Sequence, residues 1–247
     1  MRILVVNPNT TASMTETIAA SARQAASTGT EIIAVTSAMG PASIEGYYDE
    51  AFAVPGLLAA IAEGERNGAD AAVIACFDDT GLDAARAMAA IPVIGICEAA
   101  LSLAAFIAQR FTVVTTLDRS RVPLEWLVQR YGMAARCKVR AADIPVLSLE
   151  DPASGAAARL RGEIGLALDQ DRAEAIVLGC AGMADMAREL QAEFAVPVID
   201  GVSSAVRQAE SLVSLGLTTS KRGAYATPLA KPYEGMLKFF APKGGEA

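Results

Sequence analysis

The sequence predicts an α/β fold of two pseudo-symmetric halves, each a mainly parallel sheet flanked by helices, with the active site in the cleft between them. Three observations predict it. Short runs rich in β-branched residues alternate with Ala-rich stretches whose apolar residues fall at helical spacing, the pattern of βαβ units. The runs come in two sets of four. Each set contains one strand–cysteine–helix–Pro-Val-Ile unit.

Taken in order, the first set is Ile3 to Val6, Glu31 to Thr36, Ala71 to Ala75 and Pro92 to Ile96, and the second is Phe111 to Thr115, Lys138 to Ala141, Ala175 to Leu178 and Pro197 to Ile199. Leu4-Val5-Val6-Asn7 opens the first set and Thr112-Val113-Val114-Thr115-Thr116 the second, each a strand that runs into a polar loop. Ala72-Val73-Ile74-Ala75-Cys76 then matches Ala175-Ile176-Val177-Leu178-Gly179-Cys180. Pro92-Val93-Ile94-Gly95 begins 16 residues after Cys76, and Pro197-Val198-Ile199-Asp200 begins 17 residues after Cys180. The first half is placed at 1–100, completed by a C-terminal helix region at 203–240, and the second at 101–202. Residues 241–247 read as a frayed tail.

Composition bounds the chemistry. The chain has 247 residues, 53% hydrophobic, 5% aromatic and 20% charged, enough apolar surface for a full core. A net charge of −7 and no basic patch argue against a nucleic-acid partner, which needs clustered Lys and Arg. The first apolar run ends at Asn7-Pro8-Asn9, too short for a signal peptide, and no window reaches the ~20 apolar residues of a membrane helix. A cytoplasmic protein with no membrane partner is expected. Four cysteines without a CxxC pair suit neither a disulfide framework nor a zinc site, so free thiols and no metal are expected.

The chain contains no histidine. Ser-His-Asp and Cys-His hydrolases are thereby excluded, as are imidazole-ligated metals. Acid–base work near neutrality falls to Cys, Asp, Glu, Lys or Tyr, and cysteine needs the smallest pKa shift. Ligands of parallel sheets bind beyond the carboxyl ends of the strands. Cys76 and Cys180 are predicted there, one from each half, facing each other across the cleft. Inverting a carbon stereocentre without a cofactor requires this arrangement: one base removes a proton from one face while an acid supplies one to the other.

The loops after the two cysteines, Cys76-Phe77-Asp78-Asp79-Thr80-Gly81 and Cys180-Ala181-Gly182-Met183, are expected to aim backbone N–H groups at the sulfurs and lower their pKa. Asp78 and Asp79 act against this unless they cap a helix and point away. Donors for a developing enolate oxygen are sought in Asn7 and Asn9, Ser43, Thr115 and Thr116. Ile44 and Phe77 are expected apolar contacts, and Asp78, Ala181 and Gly182 fall on the predicted wall. Cys97 aligns with Val202 and Cys137 has no counterpart, so both read as buried small hydrophobes.

These residues resemble bacterial hydantoin racemases, within the aspartate/glutamate racemase superfamily. The resemblance runs almost end to end and is carried by Asn7-Pro8-Asn9-Thr10-Thr11, Gly40-Pro41-Ala42-Ser43-Ile44-Glu45-Gly46, Ile74-Ala75-Cys76-Phe77-Asp78-Asp79-Thr80-Gly81-Leu82, Val113-Val114-Thr115-Thr116 and Leu178-Gly179-Cys180-Ala181-Gly182-Met183. It implies catalytic cysteines at Cys76 and Cys180, no cofactor or metal, a homo-oligomer, and 5-monosubstituted hydantoins as the small-molecule substrate. Hydantoins are uncharged, which fits the lack of Lys and Arg in the strand-end loops. Allantoin racemase is the nearest alternative, since allantoin is itself a 5-substituted hydantoin. Maleate isomerases, which also keep two cysteines, are a further alternative. Arylmalonate decarboxylases use one catalytic cysteine and fit less well.

Two readings outside this class remain. In a small-molecule binding protein the two cysteines would be inert and buried. A thiol redox protein would need their Cα atoms within ~7 Å.

Overall fold

A computed structural model describes residues 1–242 and Gly244. The tail expectation for 241–247 therefore falls in part, at Lys243 and 245–247, outside the described residues. The chain begins with β1 (Arg2–Asn7), α1 (Ala12–Ala25), β2 (Glu31–Thr36), α2 (Tyr47–Arg66), β3 (Ala71–Ile74), α3 (Leu82–Met88), β4 (Val93–Gly95) and α4 (Ile96–Ile107). It continues with β5 (Phe111–Thr115), α5 (Arg121–Arg130), β6 (Cys137–Ala141), α6 (Ala156–Gln170), β7 (Ala175–Leu178), α7 (Ala187–Phe194), β8 (Val198–Asp200) and α8 (Gly201–Ser214). All eight sequence-predicted strands are present.

The strands form two parallel four-stranded sheets of the same order, β2-β1-β3-β4 and β6-β5-β7-β8. Parallel sheets bury both faces, and here consecutive side chains divide between two cores. Ile3, Val5, Ala71 and Val73 point into a central core that also holds Val113, Val177 and the inner faces of α4 and α8. Leu4, Val6, Ala72 and Ile74 point outward to Leu57 and Ile61 of α2. In the second sheet Ile176 and Leu178 do the same toward Leu160 and Ile164 of α6. The two sheets thus share one apolar filling, and their strand ends open toward one cleft.

After the second sheet, α8 packs against α4, α1 and β3, which belong to the first. The expected helical region 203–240 is corrected. Its helix ends at Ser214, and 215–240 holds only two 3₁₀ turns, Gly223–Tyr225 and Gly235–Phe240. Pro228 and Pro232 remove backbone donors and block a longer helix. Among the described residues, no helix is long and apolar enough to cross a membrane.

Candidate active site

β3 and β7 hold the same place in their sheets, and each stops two residues before its cysteine. The chain then closes the same backbone bond twice, the Asp79 N–H donating to the Cys76 carbonyl and the Met183 N–H to the Cys180 carbonyl, both at 3.1 Å, although the second runs on as a 3₁₀ turn over Ala181–Met186 and Asp79 is left-handed. Gly179 makes the second strand end possible. A Cβ there would sit 2.9 Å from the Thr115 Cα, where β5 and β7 come together. The Thr115 hydroxyl donates to the Gly179 carbonyl at 3.0 Å.

Both cysteines are half-buried and line one cavity of ≈40 Å³ between the halves. Of the sequence-predicted wall, Asn7, Ile44, Phe77, Asp78, Thr115, Thr116 and Ala181 also line it. Ser43 and Gly182 do not. The Ser43 hydroxyl donates to Glu45 at 3.2 Å instead, and Gly182 contributes only its backbone N–H to Cys180. Met14, Ser120 and Val146 complete the wall without any signal in the sequence, because turns and helix starts bring them there.

The expected donors are largely committed elsewhere. The Asn7 amide donates to Asn9 Oδ1 at 2.9 Å and to Thr15 at 3.1 Å. Thr115 is tied to Gly179 as above. Asn9 lines the cavity with its amide on the Met14 sulfur at 3.5 Å, a weak acceptor, so this amide is the freer donor. No Lys or Arg is among the lining residues.

The electrostatics correct one expectation. Backbone N–H groups do reach the sulfurs, from Asp78 to Cys76 and from Gly182 to Cys180, and the Thr80 hydroxyl approaches Cys76 at 3.4 Å. Burial outweighs them. It pushes Cys76 well above the ordinary thiol value, with the Asp78 carboxylate adding to the rise, and pushes Cys180 up to about 11. Burial, with Glu50 and Asp79 nearby, also lifts Asp78 to about 7. Asp79 turns away from the cavity: its oxygens accept from the backbone N–H groups of Cys97 and Glu98, both at 3.0 Å, and from the Tyr131 hydroxyl at 2.6 Å. Cys97 is fully buried, and burial raises Cys137 to about 12, so neither is a ready nucleophile.

The segment 40–46, between β2 and α2, roofs the site. It is held to the loop after β1 by Thr10 N–H to Pro41 O at 2.9 Å and Thr11 Oγ1 to Ala42 O at 2.7 Å. It reaches the other half through one bond, Val146 N–H to the Glu45 carboxylate at 3.2 Å. The cavity is smaller than the ~300–1,000 Å³ usual for small-molecule sites. A larger hollow of ≈650 Å³ runs along the outer edge of β6. Its charges pair among themselves, Arg140 with Glu163 and Asp171, and it lacks the thiol pair.

Residues 3–209 match the family model described as Asp/Glu/Hydantoin racemase. The chain is 51% identical over 236 residues to a hydantoin racemase of Rhizobium meliloti, covering 95% of this chain and 98% of that one. It is 49% identical over 242 residues to a hydantoin racemase of Pseudomonas sp. (strain NS671), covering 97% of each. Among solved structures it superimposes on an allantoin racemase from Klebsiella pneumoniae with a TM-score of 0.95 and 49% identity, covering 98% of this chain and 99% of that one.

Proposed function

The chain belongs to the Asp/Glu/hydantoin racemase family, and on that footing we propose that it racemises 5-monosubstituted hydantoins without a cofactor, using Cys76 and Cys180 as its two bases. One observation carries the reading: two thiols at equivalent strand ends of opposite halves line a single cavity that no cationic side chain enters.

In the forward direction one cysteine, as thiolate, takes the ring C5 proton and becomes a thiol. The electron pair of the C–H bond passes to the adjacent carbonyl as an enolate. The other cysteine, as thiol, delivers its proton to the opposite face of C5 and is left as thiolate. The roles are exchanged at the end, and the reverse reaction uses the same two groups. The Asn9 amide and the Thr116 hydroxyl, both on the wall, are the side chains best placed to meet the enolate oxygen.

A thiol near pKa 11 is ionised to only ~10⁻⁴ at pH 7, but its thiolate is a stronger base than an ordinary one. The enzyme trades population for basicity. One of the two thiols must lose its proton before the cycle starts. Alkaline conditions favour the same step.

A second reading, racemisation of allantoin, is supported by the likeness to the Klebsiella pneumoniae enzyme at an identity equal to that of one hydantoin racemase. The test is polarimetry on single enantiomers of 5-benzylhydantoin and of allantoin, with wild type, Cys76→Ser and Cys180→Ser. Loss of rotation with wild type alone supports the two-thiol reading, and the faster substrate selects between the two classes. Normal racemisation by either variant removes that cysteine from the mechanism.

A further inference from the structure

The two halves close the same backbone bond after their cysteines, but they cap the following helices in opposite ways. In the second half, α8 is capped by the residue just before it: Asp200 accepts the Ser203 N–H at 2.7 Å. The turn there carries Met183, fully buried in the outer core. In the first half the residue matching Asp200 is Gly95, with no side chain to cap α4. The residue matching Met183 is Asp79, and its carboxylate caps α4 from the turn by accepting the N–H groups of Cys97 and Glu98. A carboxylate has moved from the helix start to the catalytic turn.

The exchange is matched in space. A Cβ at Gly95 would lie 2.2 Å from Asp79 Oδ1, so only glycine leaves room for the incoming carboxylate. Asp79 sits at φ +47°, a left-handed conformation that Asp tolerates better than most residues. A cap for α4 alone would need none of this, since an Asp at position 95 would serve, as Asp200 does for α8. Placing it on the turn adds a tie. Asp79 Oδ2 also accepts the Tyr131 hydroxyl at 2.6 Å, and Tyr131 closes α5 in the other half.

We infer that Asp79 is a positioning residue for Cys76, its carboxylate clamping the Cys76 turn to the start of α4 and to Tyr131 of the opposite half. Among the described residues Cys180 has no corresponding side-chain hydrogen bond, and its turn is held by apolar packing, Met183 in the outer core and Ala181 and Ala184 in the central core beside α1. The inference rests on Cys76 being one of the two bases. Asp79 touches neither the cavity nor the sulfur, and acts by fixing where Cys76 stands relative to a ring held between the halves.

The test is a transplant. The double variant Asp79→Met with Gly95→Asp gives the first half the second half's residues at these two positions, supplying a local cap for α4 while cutting the tie. It is measured beside Tyr131→Phe, which cuts the tie and leaves both cap bonds, and Asp79→Asn, which weakens tie and cap together because an amide has one acceptor oxygen where the carboxylate has two. Two readouts are used on the full chain: the rate of iodoacetamide labelling at each cysteine, resolved by mass spectrometry, and racemisation of 5-benzylhydantoin.

The expected result is a change of about tenfold in Cys76 labelling in the double variant while Cys180 stays within about twofold. The kcat should fall about 10- to 100-fold with KM little changed, as for a misplaced reacting group, and thermal stability should recover relative to Asp79→Asn. Tyr131→Phe should move both readouts the same way by less. The inference is overturned if the two cysteines change together in every variant that folds, or if the double variant recovers activity along with stability, which would leave Asp79 a helix cap only. Labelling needs no turnover, so a chain inert toward hydantoins would defeat the proposed activity while the labelling still decides the tie.

Discussion

The Cys76 turn and the Cys180 turn share a strand position, a backbone hydrogen bond and a half-buried sulfur, yet their surroundings differ in charge. Phe77-Asp78-Asp79 follows one cysteine and Ala181-Gly182-Met183 the other. After burial, the strongest influence on Cys76 is the Asp78 carboxylate, which raises it, whereas for Cys180 it is the Gly182 N–H, which lowers it. A repeated architecture thus supplies matched positions without matched proton affinities. The surroundings of Cys76 oppose its ionisation through burial and the Asp78 carboxylate together, whereas at Cys180 the Gly182 N–H partly offsets the burial.

Removing either partner breaks the comparison most severely. Cys76→Ala and Cys180→Ala should each lower racemisation by roughly 10²–10⁴-fold, the usual contribution of a positioned acid or base, measured by polarimetry. The pH profile has the next largest effect. Both thiols are raised, so thiolate grows with pH, and kcat/KM should climb about tenfold per unit on its acidic limb, with the midpoint above the ordinary ~8.5. It should fall again once the second thiol ionises.

Asp78→Asn sharpens the asymmetry. Removing the carboxylate should move the acidic limb down by about one unit, with the larger shift in Cys76 labelling. The same change bears on stability. Asp78 is raised to about 7 in the fold, so between its ordinary value and 7 the folded chain holds a proton that the unfolded chain has lost, and stability falls as pH rises through that window. Asp78→Asn should therefore stabilise the protein at pH 8 by on the order of 1–2 kcal/mol, with the gain vanishing near pH 4, as read by denaturant unfolding. The smallest effect concerns the roof: Glu45→Ala removes one bond between the halves, of about 1 kcal/mol, and should change KM by severalfold with kcat nearly intact.

Much of this was legible in the residues. Alternation of β-branched runs with Ala-rich stretches marks the strands, most clearly the inner ones β1, β3, β5 and β7, because a parallel strand buried on both faces needs a continuous apolar run. The duplicated cysteine, followed each time by Pro-Val-Ile, points to the cleft. The tertiary setting was not legible. Ser43 stands in a motif of the right composition but turns its hydroxyl to Glu45. Val146 and Ser120 reach the cavity from segments without periodicity. The Asp79 cap joins residues 18 apart, beyond any local capping pattern. The expected depression of the thiols fails for the same reason, since N–H donors can be read from a loop and the depth of burial cannot.

The central claim is that each thiol serves one face of the substrate carbon. Its most direct measurement is solvent deuterium incorporation into each enantiomer of 5-benzylhydantoin by Cys76→Ser and Cys180→Ser. The account predicts that neither variant racemises, while each still exchanges the C5 proton of one enantiomer, and that the two variants exchange opposite enantiomers. Exchange of the same enantiomer by both, or racemisation by either, would contradict it.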